Sequence, residues 1–219
     1  MAVIIAPSIL SADFAHLADE VQKVTDAGAE YVHIDVMDGT FVPNITIGSP
    51  VVKSLRKFSR AVFDVHLMVE HPETQIESFA KAGADIITFH VEAAKHSHRI
   101  IQQIHAADCK AGIAINPATS LFSIEEIIGD VDMVLIMTVN PGFGGQKFIP
   151  STLEKISRLR QIIDAENFSC DIEVDGGINA ETAKLVRDAG ANVLVAGSAI
   201  YGAENIPQAI KDIKGFNNA

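Results

Sequence analysis

Short apolar runs rich in β-branched residues alternate with longer amphipathic stretches along the whole chain. The runs have the length of buried strands, and the stretches between them show the 3.6-residue period of helices. This alternation predicts an α/β fold with a parallel sheet, and eight units are the number that closes a (β/α)8 TIM barrel. The predicted strands are Val3–Leu10, Tyr31–Met37, Ala61–Met68, Asp85–Glu92, Lys110–Asn116, Met133–Val139, Asp171–Asp175 and Asn192–Ala196.

The tripeptide Ala-Gly-Ala recurs where predicted helices give way to strands, at positions 27–29, 82–84 and 189–191. A glycine just past a helix commonly adopts the left-handed conformation that ends it. The helices predicted from periodicity are Phe14–Ala27, Glu73–Ala82, Leu153–Asp164 and Ala180–Ala189. No linker or block of like charge interrupts the pattern, so we expect residues 1–219 to form a single (β/α)8-barrel domain.

The charge balance bears on which partners the chain can bind. With 28 acidic and 17 basic residues, its formal net charge is −11 at pH 7. That field repels nucleic acids and anionic membrane surfaces, so we expect neither as a partner. It does not exclude a small phosphorylated ligand, because backbone amides can form a local anion site inside an acidic protein.

Two features indicate the cellular compartment. Cys109 and Cys170 lie far apart without a CxxC pair, which is typical of reduced thiols in a reducing compartment. The first ten residues lack a basic region and carry Pro7 within their apolar run, which suits a first strand better than a secretory signal. We therefore expect a cytoplasmic protein.

Polar side chains occupy one face of three predicted strands near their ends, where the active sites of barrel enzymes lie. Buried polar groups are costly unless they are paired or bound to something. Two histidines and two carboxylates converging there form a set that suits zinc and also accepts iron(II), manganese or cobalt. For any one residue alone, a hydrogen-bonded polar layer without metal is the alternative. The polar face comprises His33, Asp35, Asp64, His66, Glu173 and Asp175.

Other residues at strand ends surround this set. We expect His90 and Glu92, which end the fourth strand, to support the ligands or lie at the rim rather than to bind the cation. The thioethers of Met37, Met68 and Met137 would exclude water above the metal and cushion a charge-delocalised intermediate. Ordinary barrel packing explains each methionine equally well.

Glycine-bearing turns follow the sixth, seventh and eighth strands. Glycines allow the backbone to approach an anion closely and to direct N–H groups at it. Barrels of this type often bind phosphate with the loops after strands seven and eight and a short helix N-terminus, so the turns predict a phosphate site. We interpret Lys147 as a solvated loop lysine. The turn residues are Gly142, Phe143, Gly144, Gly145, Gly176, Gly177, Gly197 and Ser198.

The positions of Asp35 and Asp175 indicate a reaction. They come from the second and seventh strands and are placed to flank a ligand held over the barrel interior. A metal between them stabilises the enediolate formed when a C–H group beside a carbonyl loses its proton. One carboxylate removes the proton and the other returns one to the opposite face, which inverts the stereocentre.

Several strings resemble the ribulose-phosphate 3-epimerase family, and the resemblance covers essentially all eight βα units. They are Ala-Pro-Ser-Ile-Leu-Ser-Ala-Asp at 6–13, His-Ile-Asp-Val-Met-Asp-Gly at 33–39 and Asp-Val-His-Leu-Met at 64–68. Further strings are Val-Asn-Pro-Gly-Phe-Gly-Gly-Gln at 139–146, Val-Asp-Gly-Gly-Ile at 174–178 and Ala-Gly-Ser at 196–198.

This resemblance implies a cofactor, a substrate and a set of roles. His33, Asp35, His66 and Asp175 are expected to bind one divalent metal ion, usually zinc or iron(II), with both aspartates doubling as the acid–base pair. Ser8, and with it His66, is expected to contact the sugar near the metal, and the glycine turns with Ser198 to hold the phosphate. The implied reaction interconverts D-ribulose 5-phosphate and D-xylulose 5-phosphate in pentose phosphate metabolism, in an enzyme that is commonly a homo-oligomer.

Other functions fit these residues less well. Related metal-independent decarboxylases carry Asp-x-Lys-x-x-Asp, but methionine stands at the lysine's place in Asp35-Val36-Met37-Asp38. A Schiff-base aldolase needs a lysine inside the barrel, and no inward strand-end residue is lysine. A non-catalytic sensor is disfavoured because both aspartates are present. The closest alternative is the same chemistry on a hexulose 6-phosphate such as D-allulose 6-phosphate.

Overall fold

The computed structural model of the chain describes residues 2–215. Eight strands form one parallel sheet with the order β1-β8-β7-β6-β5-β4-β3-β2, which curls into a nearly closed barrel. The predicted TIM barrel is therefore confirmed. The strands are β1 (Ile4–Pro7), β2 (Tyr31–Met37), β3 (Val62–Met68), β4 (Ile86–His90), β5 (Lys110–Ile115), β6 (Met133–Met137), β7 (Asp171–Asp175) and β8 (Val193–Ala196).

Helices alternate with the strands and surround them. They are α1 (Leu17–Asp26), α2 (Ser49–Arg56), α3 (Ile76–Ala82), α4 (Ser97–Ala106), α5 (Thr152–Glu166), α6 (Ala180–Asp188), α7 (Ser198–Tyr201) and α8 (Ile206–Lys214). Between β5 and β6 the crossover consists of two 3-10 helices, Leu121–Ser123 and Glu125–Asp130, in place of an α-helix. Within residues 2–215, every helix is too short or too polar to cross a bilayer.

The predicted boundaries differ from the observed ones mainly at the C-terminal ends of strands. The first predicted strand runs three residues too far, because Ser8 Oγ accepts from the Leu10 N–H and starts a 3-10 helix at Ile9. The fourth strand was predicted to end at Glu92 but ends at His90, because another 3-10 helix begins at Val91. Hydrophobic patterning does not report such local turns, since the apolar run continues through them.

The recurring Ala-Gly-Ala tripeptides end helices as predicted. Gly28, Gly83 and Gly190 have φ angles of 96°, 100° and 113°, the left-handed region that glycine enters without strain. Each therefore reverses the chain directly into the next strand.

The barrel has an apolar outside and a polar layer inside. Ile34, Val65 and Leu67 are fully buried between the strands and the helices. The residues between them on the same strands point inward, where His33 and His66 are equally buried. The alternation of polar and apolar side chains thus places the polar layer inside the barrel, as the sequence predicts.

The barrel is closed between β1 and β2 by few contacts. All four residues of β1 pair with β8, whereas the only bridge towards β2 within the described chain joins Ser8 to His33. A hydrogen bond from Ser8 Oγ to Asp35 Oδ2, 2.5 Å long, crosses the same gap. The barrel is therefore joined here by side chains as much as by backbone.

Candidate active site

A cavity of about 490 Å³ opens at the C-terminal ends of the strands. His33 and His66 do not line this cavity and are wholly buried beneath its floor. Every other predicted site residue lines it: Ser8, Asp35, Met37, Met68, Met137, Gly142, Phe143, Gly144, Gly145, Asp175, Gly176, Gly177, Gly197 and Ser198.

Four side chains converge at the floor of the cavity, namely His33, Asp35, His66 and Asp175. Each offers one ligand atom, and these atoms all lie within 4.8 Å of one another. The register of the sheet produces this cluster, because Asp35 of β2 pairs directly with His66 of β3. The structure thus brings together the four residues that the family resemblance implies as metal ligands.

Both oxygens of Asp35 have a close polar neighbour. Ser8 donates to Oδ2, and His66 Nδ1 lies 3.1 Å from Oδ1. Burial alone would raise the pKa of Asp35, but the positive charge of His33, with further help from His66, holds it well below the usual range. Asp35 is therefore ionised at neutral pH.

Asp175 sits in a different electrostatic environment. Its side chain is 18% exposed, and its Oδ2 lies 3.9 Å from His66 Nδ1, beyond hydrogen-bonding distance. Burial, followed by the negative charge of Asp35, raises the pKa of Asp175 to about 7. The two aspartates thus differ in proton affinity while facing the same cavity.

One ring nitrogen of His33 has a hydrogen-bond partner and the other has none. Its Nδ1 lies 2.6 Å from Asp64 Oδ2, whereas its Nε2, 3.3 Å from Asp35 Oδ1, has no hydrogen-bond partner. Burial opposes a positive charge on this ring, but the carboxylates of Asp35 and Asp64 outweigh it and raise the pKa of His33. An acidic pocket around an unpartnered imidazole nitrogen is suited to a cation.

Asp64 and Glu173 lie deeper in the barrel and were predicted only as inward residues without a role. Glu173 Oε1 is 3.6 Å from His33 Nδ1, and both Glu173 oxygens lack hydrogen-bond partners. Burial and the nearby charge of Asp64 raise the pKa of Glu173 well above its ordinary value. Asp64 and Glu173 each lie two residues before a predicted ligand, so the sequence predicts that they point inward too. It does not predict that they lie deeper in the barrel than Asp35 and Asp175.

His90 and Glu92 adjoin the cluster without entering it, as predicted. His90 Nε2 lies 2.8 Å from His66 Nε2, and its Nδ1 lies 3.1 Å from Glu92 Oε2. Burial lowers the pKa of His90 to about 4. His90 is therefore a neutral neighbour of His66 on the side away from the cavity.

The glycine turns form part of the cavity lining. Gly176 and Gly177 have φ angles of 121° and 67°, and a Cβ atom on Gly177 would lie 2.6 Å from the Phe148 nitrogen. Gly142 and Gly145 also have positive φ, at 119° and 73°. Only glycine permits this backbone path so close to the cavity.

Some cavity-lining residues were not singled out from the sequence. They include Ser11, Gln146, Asn179 and Thr182, and the exposed Lys147 also reaches the wall. Asn179 and Thr182 form a capping box at the start of α6, directly after the glycine pair. The capping box can be recognised in the sequence, so the predicted site could have been extended from the glycine turn to the first residues of α6.

The chain is similar to one family of proteins over most of its length. Residues 4–201 match the model of the Ribulose-phosphate 3 epimerase family. The chain is 55% identical over 213 residues to the ribulose-phosphate 3-epimerase of Bacillus subtilis, covering 96% of this chain and 98% of that protein. It is 48% identical over 212 residues to the Escherichia coli K12 protein of the same name, covering 96% and 94%.

More distant solved structures share the fold. Orotidine 5'-phosphate decarboxylase from Pyrococcus horikoshii superposes with a TM-score of 0.70 at 17% identity, covering 96% of this chain and 97% of that one. A 3-hexulose-6-phosphate synthase superposes with a TM-score of 0.64 at 22% identity, covering 98% of each chain. At these identities the likeness concerns the barrel alone.

Proposed function

The chain belongs to the ribulose-phosphate 3-epimerase family, and we propose that its cavity epimerises D-ribulose 5-phosphate and D-xylulose 5-phosphate at C3 by two-base proton transfer. The observation that carries this proposal is the pair Asp35 and Asp175, which face one cavity with pKa values shifted in opposite directions. An ionised carboxylate beside one that titrates near neutrality supplies a base and an acid together.

The residues at the cavity floor fit a divalent metal ion. His33, Asp35, His66 and Asp175 would hold it, and the unpartnered Nε2 of buried His33 supports this assignment. Two imidazole nitrogens and two carboxylate oxygens suit zinc best, with iron(II), manganese or cobalt as alternatives. When bound, such an ion supplies positive charge that stabilises the negative charge of an enediolate.

The two aspartates move the proton. The ionised carboxylate takes the C3 proton from one face of the substrate, and the protonated one delivers a proton to the other face. The Ser8 hydroxyl, which donates to Asp35 Oδ2, orients the carboxylate and lies where the sugar would contact it. In the reverse reaction the two roles exchange, so neither aspartate is only an acid or only a base.

The rest of the cavity suits a phosphorylated ketose. The glycine turns present backbone close to the cavity at Gly142, Gly144, Gly145, Gly176, Gly177 and Gly197, and backbone amides in such turns bind phosphate. Phe143 and Ser198 complete this wall. Met37, Met68 and Met137 are at most 3% exposed and also line the cavity, where they would exclude water from the reacting carbon.

The pentulose phosphate is favoured over a hexulose 6-phosphate. Relatives at about 50% identity over nearly the whole chain are ribulose-phosphate 3-epimerases. Against a decarboxylase, the position of its lysine is taken by Met37, which lines the cavity.

The proposed function is tested by NMR of D-ribulose 5-phosphate incubated with the enzyme in D2O. We expect conversion to D-xylulose 5-phosphate with deuterium entering only at C3. The conversion is expected to stop when a chelator removes the metal and to resume with added zinc or iron(II). Absence of conversion by folded, fully metallated enzyme would contradict the assignment, and conversion without deuterium at C3 would contradict the two-base mechanism.

Three further properties are proposed for the whole protein. Residues 1–219 constitute one catalytic domain, and the chain forms a homo-oligomer, which light scattering after gel filtration can test. The exposed apolar side chains of Ile45 and Phe122, 76% and 80% accessible, are available for subunit contacts. A cytoplasmic location is supported by Cys109 and Cys170, which are buried and free.

A further inference from the structure

Two histidines in series connect the candidate metal ligands to a glutamate at the rim of the barrel. His66 Nε2 lies 2.8 Å from His90 Nε2, and His90 Nδ1 lies 3.1 Å from Glu92 Oε2. The ring centroids are 5.0 Å apart, much farther than the two nitrogens, so the rings meet edge to edge with nitrogens facing each other. Both imidazoles are fully buried, so these contacts are shielded from bulk solvent.

Glu92 sets the direction of this hydrogen-bonded chain. A carboxylate only accepts, so His90 Nδ1 carries a hydrogen. A neutral imidazole has a single N–H, which makes His90 Nε2 an acceptor and His66 Nε2 its donor. His66 Nδ1 then retains its lone pair, on the side where Asp35 Oδ1 is 3.1 Å away. That lone pair faces the proposed cation.

The opposite direction of hydrogen-bond donation would prevent His66 from binding a metal ion. A hydrogen on His66 Nδ1 would be accepted by Asp35 and would leave this nitrogen without the lone pair that a metal ion needs. His66 Nε2 would then accept from His90, and His90 Nδ1 would present a lone pair to the Glu92 carboxylate. Asp35 and Glu92 lie at opposite ends of this series of hydrogen bonds. Asp35 favours a hydrogen on His66 Nδ1, whereas Glu92 favours a hydrogen on His66 Nε2.

We propose that Glu92, acting through His90, is a positioning residue that selects the His66 tautomer whose Nδ1 is free to bind metal. The inference rests on the proposed metal site and adds two residues that bind neither metal nor substrate. Hydrogen-bond partners behind metal-bound histidines commonly fix the tautomer and raise the affinity for metal. Here Glu92 does not contact His66 itself but acts on it through a second imidazole, that of His90.

Glu92 is itself held so that its orientation is fixed. Its Oε1 accepts from the Asn116 N–H at 2.7 Å and from the Thr119 hydroxyl, which leaves Oε2 for His90. The Lys155 ammonium anchors the same loop by donating to the carbonyls of Asn116, Pro117 and Thr119. The loop after β5 therefore determines which atom of residue 92 faces His90.

This geometry makes Glu92→Gln a directed test. The backbone N–H of Asn116 requires an acceptor, so the amide oxygen of the new side chain takes the place of Oε1 and its NH2 group faces His90 Nδ1. That donor favours the reversed chain and a hydrogen on His66 Nδ1. We expect the Kd for zinc, measured by competition with a chromophoric chelator, to rise by about 10- to 100-fold. The increase in Tm on adding zinc is expected to shrink accordingly.

Thr119→Val is the matched control. It removes the other donor to Oε1 but leaves a carboxylate facing His90, so its Kd for zinc should stay within about twofold of that of the wild type. Equal losses in both variants would show that packing of the loop, and not the tautomer, controls affinity, and would overturn the inference. Wild-type affinity in Glu92→Gln would overturn it as well.

A measurement on the unmodified protein avoids any dependence on folding of the variants. In zinc-loaded protein with 15N-labelled histidine, we expect His90 to be protonated at Nδ1 and bare at Nε2, and His66 to be protonated at Nε2. The reverse assignment at His90 would overturn the inference while leaving the metal site standing. A folded wild-type chain that binds no zinc, iron(II), manganese or cobalt would overturn both the proposed site and this inference.

Discussion

The Asp64 carboxylate lies 2.6 Å from Nδ1 of His33 inside the barrel, where neither side chain reaches solvent. Because a carboxylate accepts, Nδ1 of His33 carries the hydrogen and Nε2 points towards Asp35. Asp64 thus orients His33 directly, whereas Glu92 is proposed to orient His66 through His90. The two imidazoles are thus oriented by different acidic residues, Asp64 in β3 and Glu92 in the 3-10 helix that follows β4.

Asp64→Asn is expected to weaken metal binding without unfolding the barrel. A neutral amide is a poorer acceptor for His33 Nδ1, so we expect the Kd for zinc to rise by about tenfold or more. Competition titration measures this change. Asp132→Asn is the matched control, because Asp132 also contacts a histidine, His105, at 2.9 Å but outside the barrel. Equal zinc affinity in the wild type and Asp64→Asn would contradict the role given to Asp64.

Asp35→Asn and Asp175→Asn are each expected to lower kcat/KM for epimerisation by at least about 10²- to 10⁴-fold, the range that general acid–base groups contribute. Circular dichroism should show an unchanged fold. With only one carboxylate left, a variant can still exchange the C3 hydrogen of the epimer that this carboxylate faces. We therefore expect deuterium wash-in from opposite epimers in the two variants. Near-native turnover in either would remove that aspartate from the mechanism.

Gly177→Ala is expected to destabilise the cavity wall. Its φ of 67° is unfavourable for alanine, and the added Cβ would meet the Phe148 backbone at 2.6 Å. Strain and steric displacement together should lower the free energy of unfolding by about 1–3 kcal/mol. A Cβ on Gly144 would only touch Ser11 Oγ at 3.7 Å, so Gly144→Ala should leave Tm nearly unchanged. Similar Tm values for the two variants would contradict the close approach at Gly177.

The stability of the metal-free protein should depend on Glu92 at acid pH. Burial of Glu92 is outweighed by hydrogen bonds from His90, Thr119 and Asn116, which lower its pKa from 4.5 to about 2. A depressed folded-state pKa stabilises the protein fully above the unfolded value, and this contribution is lost as the pH falls from about 4.5 to about 2. With its carboxylate partly exposed, the contribution is on the order of 2 kcal/mol.

The measurement is urea unfolding of chelator-treated wild type and Glu92→Gln at several pH values. The difference in unfolding free energy between the two should be largest above pH 4.5 and should vanish near pH 2. A difference that stays constant with pH would show that Glu92 titrates normally in the folded protein.

Periodicity sufficed to predict the barrel and the inward face of its strands. The bounds of β2 and β7 were predicted to the residue, because polar and apolar side chains alternate there without interruption. The end of β1 was missed because Ser8 redirects the backbone within an apolar run. The 3-10 crossover after β5 carries no periodic signal that separates it from a loop.

The sequence alone does not predict which side chains of neighbouring strands form hydrogen bonds with each other. Alternation places His66 and His90 inside the barrel, but it does not say that their Nε2 atoms face each other. Their contact depends on the sheet register, which pairs His66 with Thr88 and places His90 two residues further along β4, and on the rotation of both rings. Likewise, strand position alone could not separate the layer of Asp35 and Asp175 from that of Asp64 and Glu173.

The closure between β1 and β2 has a consequence for the newly made chain. β1 is made before the other strands, but the strand with which it pairs along its whole length, β8, is the last strand to be made. Until residue 196 has emerged, β1 lacks that partner, and Ser8 has no fixed position from which to hold Asp35. A nascent chain that stops before β8 is therefore expected to lack the fixed contact between Ser8 and Asp35, so the candidate site is completed only when the first and last strands of the barrel pair.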